Sequence, residues 1–164
     1  MPKDNIVKAL NEQINAELYS AYLYYSMSAC AASMNFNGFA AWLHVQAREE
    51  LAHADKFYMH IIDRGGIVTL GPVQAPPSKW ESIRTIFEDV SRHEQEVTAR
   101  IHRLMDAAIQ EKDHATQAFL QWFVNEQVEE ERNSSALLER IRMIGASVGN
   151  LLYLDKEAGK RKAE

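Results

Sequence analysis

The sequence is poor in the residues that build disulfide frameworks, metal knuckles and membrane spans. Its only cysteine, Cys30, excludes an internal disulfide and the paired Cys-x-x-Cys of an iron or zinc knuckle. No apolar run approaches the roughly 18 residues of a membrane span. The first ten residues, MPKDNIVKAL, lack the apolar core of a signal peptide. We therefore expect a cytoplasmic protein with no membrane partner, in which Cys30 is a small packed residue.

Positive charge and helix-breaking residues are also scarce. The chain has 18 Lys and Arg against 23 Asp and Glu, a formal net charge of −5, which argues against a nucleic-acid partner. The one cationic segment, KRKAE at 160–164, is expected to be a solvated terminus. With 46% apolar residues, 7 glycines and 4 prolines, the 164 residues fit an ordinary globular composition. We expect a single domain, 1–164, with a sizeable core.

Glycine, proline and asparagine occur at the places where the chain is expected to turn. They separate four long helical runs and a short fifth helix, predicted at about 5–34, 39–64, 80–110, 114–144 and 150–158. Short turns make the first and second helices antiparallel, and likewise the third and fourth. The segment 65–79 contains three prolines and cannot be helical.

The segment 65–79 is long enough to act as a crossover along the whole bundle. At about 3.3 Å per residue it spans roughly 50 Å, so the third helix can start parallel to the second. The fold class predicted is therefore all-α: a four-helix bundle with a long second-to-third crossover and a short C-terminal fifth helix.

Each long helix carries an apolar stripe with spacings of three and four residues, which is typical of a buried bundle seam. A carboxylate interrupts every stripe near its middle. The interrupting residues are Glu17 in the first helix, Glu50 with His53 in the second, Glu94 in the third, and Gln127 with Glu130 in the fourth. Counted from the turns at 1.5 Å per residue, these positions should meet within one or two helical turns.

Four buried carboxylates in one core need counter-charge, because an unpaired buried charge costs several kcal/mol. No Lys or Arg occupies the stripes, whereas two divalent metal ions would balance the four glutamates. Oxygen-rich ligands with one imidazole favour iron or manganese over structural zinc. Taken singly, each glutamate could instead lie at a seam edge and reach water, and His53 could be a satisfied core histidine. Their coincidence at one level favours a di-metal site.

The same residues carry a family resemblance. The pattern Glu17, Tyr24, Glu50-x-x-His53, Glu94 and Glu126-Gln127, on four helices with a long crossover, resembles bacterial non-haem ferritins over the whole chain. The resemblance implies an iron-storage protein with ferroxidase activity. Such a protein oxidises Fe(II) with dioxygen or hydrogen peroxide at an intrasubunit di-iron centre. It stores Fe(III) oxyhydroxide mineral in a hollow homo-oligomeric shell of twenty-four subunits.

The resemblance also implies how the two irons are held. By match to the family, Glu17, Glu50 and His53 hold one iron. Glu50, Glu94 and Glu130 hold the second, so that Glu50 bridges the pair. The height at which the stripes are interrupted is compatible with this assignment but does not itself distinguish the two iron positions.

Further roles follow from the resemblance alone. Gln127 matches a residue behind the ligands or near the dioxygen. Tyr24 matches the redox-active tyrosine of the family, or it merely hydrogen-bonds a ligand carboxylate. A third iron site, with Glu130 possibly shared, falls on Glu49, Glu126 and Glu129. The alternative for this cluster is a hydrated acidic patch that only attracts cations.

Two departures from related di-iron proteins limit the assignment. Symmetric di-iron enzymes and bacterioferritins carry a second Glu-x-x-His on the fourth helix, where this chain reads Glu126-Gln-Val-Glu129. Bacterioferritins place a haem-ligating methionine directly after the glutamate of the first motif, and here that residue is Leu51. We therefore expect no haem.

Two other interpretations remain for the same residues. One is a di-iron peroxidase or oxidase of the rubrerythrin-like type without storage, against which stand the missing Cys-x-x-Cys domain and second histidine. The other is a metal-free helical bundle that serves as an interaction protein, for which the buried carboxylates would be costly.

Overall fold

The computed structural model describes residues 2–162, and in this range it contains five α-helices and no strand. The helices are α1 (Asp4–Ser33), α2 (Asn37–Asp63), α3 (Ile83–Gln110), α4 (His114–Ile144) and α5 (Val148–Ala158). The predicted four-helix bundle with a long crossover and a short fifth helix is confirmed. None of these helices combines the length and the apolar character that crossing a membrane would require.

The start of α3 differs from the prediction because of a local cap. The helix begins at Ile83 rather than near Trp80. Ser82 Oγ accepts a hydrogen bond from Thr85 N at 3.2 Å, and Thr85 Oγ1 accepts one from Ser82 N at 3.1 Å. This reciprocal pair satisfies backbone groups that a helix start leaves without partners. The helices α2 and α5 each begin two residues earlier than predicted.

The crossover between α2 and α3 lies along α1. Asn11 Nδ2 donates to the Ile67 carbonyl oxygen at 2.9 Å, and Asn11 Oδ1 accepts from Thr69 N at 2.7 Å. Nearer the other end of α1, Ser26 Oγ donates to the Pro77 carbonyl oxygen at 2.5 Å. Side chains of α1 therefore satisfy backbone groups of a segment that has no regular structure of its own.

The apolar core forms two clusters on either side of a polar layer. One cluster contains Tyr24, Phe39 and Phe87, and the other contains Leu10 and Phe57. On every long helix a gap of about two to four turns separates the buried residues of one cluster from those of the other. The predicted stripe interruptions fall in these gaps, so the two apolar clusters enclose them.

The short helix α5 packs across the start of α2. A β-carbon at Gly38 would lie 1.7 Å from the Asp155 carbonyl oxygen, and one at Gly159 would lie 3.0 Å from the Gly38 Cα. Asp155 Oδ1 accepts a hydrogen bond from Phe39 N at 2.7 Å. The contact requires the absence of a side chain at Gly38, because no β-carbon fits that close to a backbone carbonyl. It brings the residues that follow α5 beside α2.

Candidate metal centre

The polar layer contains one carboxylate from each long helix. Glu17, Glu50 and Glu94 are each 1% exposed, and Glu130 is 4% exposed. Each replaces an apolar residue of a seam, so helical periodicity directs its side chain inward. The structure thus brings together the four glutamates that the sequence predicts for a di-metal site.

Glu17, Glu50 and His53 form the most compact group in the layer. One donor atom from each lies within 4.8 Å of the other two, and no other three His, Cys, Asp or Glu residues in 2–162 meet this distance. His53 Nδ1 lies 3.2 Å from Glu50 Oε2. Glu17 Oε2 is buried and accepts no hydrogen bond from another residue in 2–162, which is uncommon. A cation held between the three groups would satisfy it, so these residues fit the first metal position.

Hydrogen bonds orient Glu94 and Glu130, two of the carboxylates predicted for the second metal ion. The Tyr24 hydroxyl donates to Glu94 Oε1. Gln127 Nε2 donates to Glu94 Oε2 at 3.2 Å and is 3.3 Å from the Glu94 carbonyl oxygen. Gln46 Nε2 donates to Glu130 Oε2 at 2.8 Å. Gln127 therefore lies behind Glu94 and holds its carboxylate.

The polar layer also contains two buried glutamines, which the stripe pattern did not single out. Gln13 Nε2 donates to Glu17 Oε1 at 2.7 Å, and Gln46 donates to Glu130 across the bundle. Gln13 precedes Glu17 by four residues, and Gln46 precedes Glu50 by four. Residues at this spacing share a helix face, so the spacing is a signal that could have identified both.

The Tyr24 side chain has a histidine neighbour that sequence reasoning also missed. The ring centroids of Tyr24 and His93 lie 5.8 Å apart in an edge-to-face arrangement. Burial, with Arg100 nearby, lowers the pKa of His93 to about 4, so its imidazole is neutral at pH 7. His93 Nε2 lies 2.8 Å from Ser20 Oγ. Burial and the Glu94 carboxylate raise the pKa of Tyr24, which keeps its phenol protonated.

Burial and mutual repulsion favour the protonated form of the carboxyl groups when no cation is bound. Burial raises the pKa of Glu17 and Glu50, and a neighbouring carboxylate raises each further. Burial also raises the pKa of Glu94, and burial together with Glu94 raises the pKa of Glu130 to about 8. Because metal ligation requires the deprotonated form, a divalent cation would replace these protons.

We expect the metal-free protein to lose stability as pH rises from about 4.5 to about 8. In the unfolded chain Glu130 has the ordinary glutamate pKa of 4.5, whereas in the folded chain its pKa is about 8. Between these values the folded state binds more protons, so the free energy of unfolding falls as pH rises. Thermal unfolding in a chelator at pH 5 and pH 8 measures the change.

A neutral variant isolates this effect. Glu130→Gln cannot titrate, so its unfolding temperature should depend less on pH than that of the wild type. Glu139→Gln on the same helix is a matched control, because the Glu139 side chain is 62% exposed. Equal pH dependence in Glu130→Gln and the wild type would contradict the assignment of the raised pKa to this group.

The residues predicted for a third iron site line a cavity of about 450 Å³ on the outer side of the centre. Glu49, Glu126, Glu129 and Glu130 all contribute to its wall. The side chains of the first three are 13%, 21% and 43% exposed, more than those of the polar layer. Glu126 Oε1 lies 3.9 Å from His53 Nε2, and Glu130 belongs both to the cavity wall and to the polar layer, so the cavity adjoins the centre.

Arg161 departs from the solvated terminus that the sequence predicts, whereas its neighbours Lys160 and Lys162 are exposed. Arg161 Nη1 donates to Gln46 Oε1 at 2.7 Å, and Arg161 Nη2 donates to Glu49 Oε2 at 2.5 Å. Its guanidinium lies 4.4 Å from the centroid of the Trp42 ring. The positive charge of this segment predicted exposure to solvent, but α5 places Arg161 in contact with α2. Residues 163 and 164 of the KRKAE segment lie outside the described residues.

Comparison with known proteins yields one family. The family model described as a ferritin-like domain matches residues 7–144. A bacterial non-heme ferritin of Bacteroides fragilis is 38% identical over 161 residues, which cover 98% of this chain and 100% of the relative. One of Staphylococcus aureus is 39% identical over 161 residues, covering 98% and 97%. The solved open pore ferritin of the archaeon Archaeoglobus fulgidus is 49% identical, with a TM-score of 0.98 over 99% and 100% of the two chains.

Proposed function

The chain belongs to the ferritin family and stores iron, and on this premise we propose that its buried glutamate layer is a ferroxidase centre. The observation that supports this most directly is the group Glu17, Glu50 and His53. Their donor atoms are within reach of one cation, and Glu17 Oε2 has no other partner in the described part of the chain. The substrate is Fe(II), with dioxygen or hydrogen peroxide as the oxidant.

Charge balance explains how the layer would handle iron. Two Fe(II) ions displace the carboxyl protons and are neutralised by Glu17, Glu50, Glu94 and Glu130. In the proposed reaction each ion loses one electron, and the two electrons together with two protons convert one dioxygen to hydrogen peroxide. Each oxidation adds one positive charge to the centre. Hydroxide or oxide from water offsets that charge and releases protons, which favours departure of the product toward mineral.

The residues around the ligands hold them in place. Gln13 fixes the Glu17 carboxylate, and Tyr24 and Gln127 fix that of Glu94. Such partners keep a metal ligand in one orientation and typically matter 10–100-fold for affinity or activity. The hydrogen bond from Tyr24 to Glu94 supports a positioning role for this tyrosine.

We also propose that the chain assembles into a homo-oligomeric shell of twenty-four subunits in the cytoplasm. Family membership supports this, and so do large apolar side chains that the single chain leaves exposed. They occur on α1, on α2 and in the crossover, and include Tyr22, Tyr58, Met59, Ile67 and Leu70. A partner copy would cover such residues.

Size and iron content together test the function. Twenty-four subunits of 18.7 kDa give about 450 kDa, so size exclusion should show a particle of that mass. The particle should take up Fe(II) in air and retain far more iron than its centres hold. A small oligomer that oxidises iron without retaining it would favour the rubrerythrin-like alternative. A protein that neither binds nor oxidises Fe(II) would favour the metal-free bundle.

We propose that Glu49, Glu126 and Glu129 hold a third, weaker iron. The double variant Glu49→Ala/Glu126→Ala should still bind and oxidise two Fe(II), because it leaves the buried layer intact. The number of Fe(II) oxidised per dioxygen should fall toward the two that the pair alone supplies, since a third electron donor is lost. Oxygen-electrode measurements at defined iron additions provide this ratio.

A matched double variant separates the third site from a general change in charge. Asp55→Ala/Glu139→Ala also removes two acidic groups, but neither lines the cavity. It should keep the wild-type ratio. If both double variants gave the wild-type ratio, the cavity glutamates would be a hydrated acidic patch and the third site would be withdrawn.

A further inference from the structure

Arg161 follows α5 and lies against one face of α2. Its three contacts, Trp42, Gln46 and Glu49, are spaced four and three residues apart, so they share that face. The close packing of Gly159 on Gly38 fixes where α5 crosses α2 and hence where Arg161 falls. The Arg161 side chain is only 20% exposed, so it packs against the protein instead of extending into solvent.

Arg161 determines which way the Gln46 amide points. A guanidinium can only donate hydrogen bonds, so the atom of Gln46 that faces Arg161 at 2.7 Å must be the carbonyl oxygen. The amide nitrogen then points into the layer and donates to Glu130 at 2.8 Å. Arg161 is thus linked through Gln46 to a carboxylate of the proposed second iron position.

Arg161 also engages a carboxylate of the proposed third site. Glu49 Oε2 accepts a charge-assisted hydrogen bond from Arg161 Nη2 at 2.5 Å. Arg161 lines the same cavity as Glu126 and Glu129. A metal ion and a guanidinium are both cations that need the same oxygen, so the two compete for Glu49.

We propose that Arg161 is the resident counter-cation of the third site, and that a metal ion enters this site by displacing the guanidinium from Glu49. The proposal rests on the proposed third site. The C-terminal segment then acts as a competitor that keeps the third metal position weak and exchangeable. Displacement of Arg161 also frees the Gln46 amide, which couples occupancy of the cavity to the second iron position.

Calorimetry with Zn(II), which does not change oxidation state, tests the competition. In Arg161→Gln the third Zn(II) should bind roughly tenfold more tightly than in the wild type, because it no longer breaks a charge-assisted hydrogen bond. Both tight ions should still bind, and the affinity of the second should change less than that of the third, because Arg161 reaches Glu130 only through Gln46. Lys162→Gln is the matched control, because Lys162 lines the same cavity but is not proposed to compete for Glu49. Its third-ion affinity should stay near that of the wild type.

A conservative variant and a second measurement separate competition from a general effect of charge. Arg161→Lys keeps the charge, but one ammonium cannot form the forked pair with Gln46 and Glu49, so its third-ion affinity should lie between the wild type and Arg161→Gln. In the wild type, the amides of Lys160 and Arg161 donate to carbonyl oxygens of the last turn of α5. Their hydrogen–deuterium exchange should accelerate when the third Zn(II) binds.

These measurements test the role of Arg161 separately from the existence of the metal centre. Two tight ions with an unchanged or weakened third ion in Arg161→Gln would overturn the role of Arg161 and leave the ferroxidase centre standing. Unchanged exchange of the C-terminal amides on full Zn(II) loading would also overturn it. Absence of tight Zn(II) binding in every variant, including the wild type, would overturn the metal centre and this proposal together.

Discussion

Glu50→Ala should lower the rate of Fe(II) oxidation by about a hundredfold or more, because two ions without a shared ligand lose their relative positioning. Glu50 Oε2 lies 3.2 Å from His53 Nδ1 on one side, and burial, together with the Glu94 and Glu130 carboxylates on the other, raises its pKa. It is therefore the residue that belongs to both proposed iron positions. Stopped-flow absorbance after mixing with Fe(II) in air measures the rate.

Assembly should survive the Glu50→Ala substitution. The apolar neighbours on the same stripe, Ala47, Ala54 and Phe57, remain and carry the packing of α2. Glu50→Gln keeps the volume of the side chain and should be equally slow. Asp55→Ala, which removes an exposed carboxylate of the same helix, should oxidise iron at the wild-type rate. A wild-type rate in Glu50→Ala would mean that oxidation occurs elsewhere on the protein.

His53→Ala should remove one of the two tight metal ions. His53 supplies the only nitrogen donor of the compact group, whereas Glu94 and Glu130 lie on the other helices and keep their hydrogen bonds. The loss of affinity at the first position should exceed the 10–100-fold effect of removing an outer partner, because the proposed role of His53 is that of a direct ligand. Anaerobic titration with Fe(II) should therefore count one tight ion where the wild type binds two.

The His53 ring also packs against aromatic side chains, so its removal needs a control for structure. Its centroid lies 5.5 Å from that of Trp122 and 5.7 Å from that of Phe123. Truncation leaves a cavity and lowers stability, but a cavity alone does not halve the number of bound ions. His44→Ala, at an exposed position of α2, should bind two. Two tight ions in His53→Ala would remove His53 from the ligand set.

The sequence by itself determined the helices and the polar layer. Stripes with spacings of three and four residues fix which side of each helix is buried. A constant rise of 1.5 Å per residue fixes the height of each glutamate. Glu17, Glu50, Glu94 and Glu130 could therefore be placed at one level from their distances to the turns, and all four are buried there. His53 could then be placed beside Glu50, because residues three apart share a helix face.

Only the tertiary structure determined which side chains hydrogen-bond to the glutamates of the polar layer and which residues cover that layer. Gln46 and Arg161 are 115 residues apart in sequence, and Glu49 and Arg161 are 112 apart. No periodicity relates residues on different helices, so these contacts depend on where α5 crosses α2. That crossing is fixed by two backbones that meet at Gly38 and Gly159. The charge pattern of the tail predicted exposure to solvent, but the geometry of the crossing places Arg161 beside the proposed metal centre.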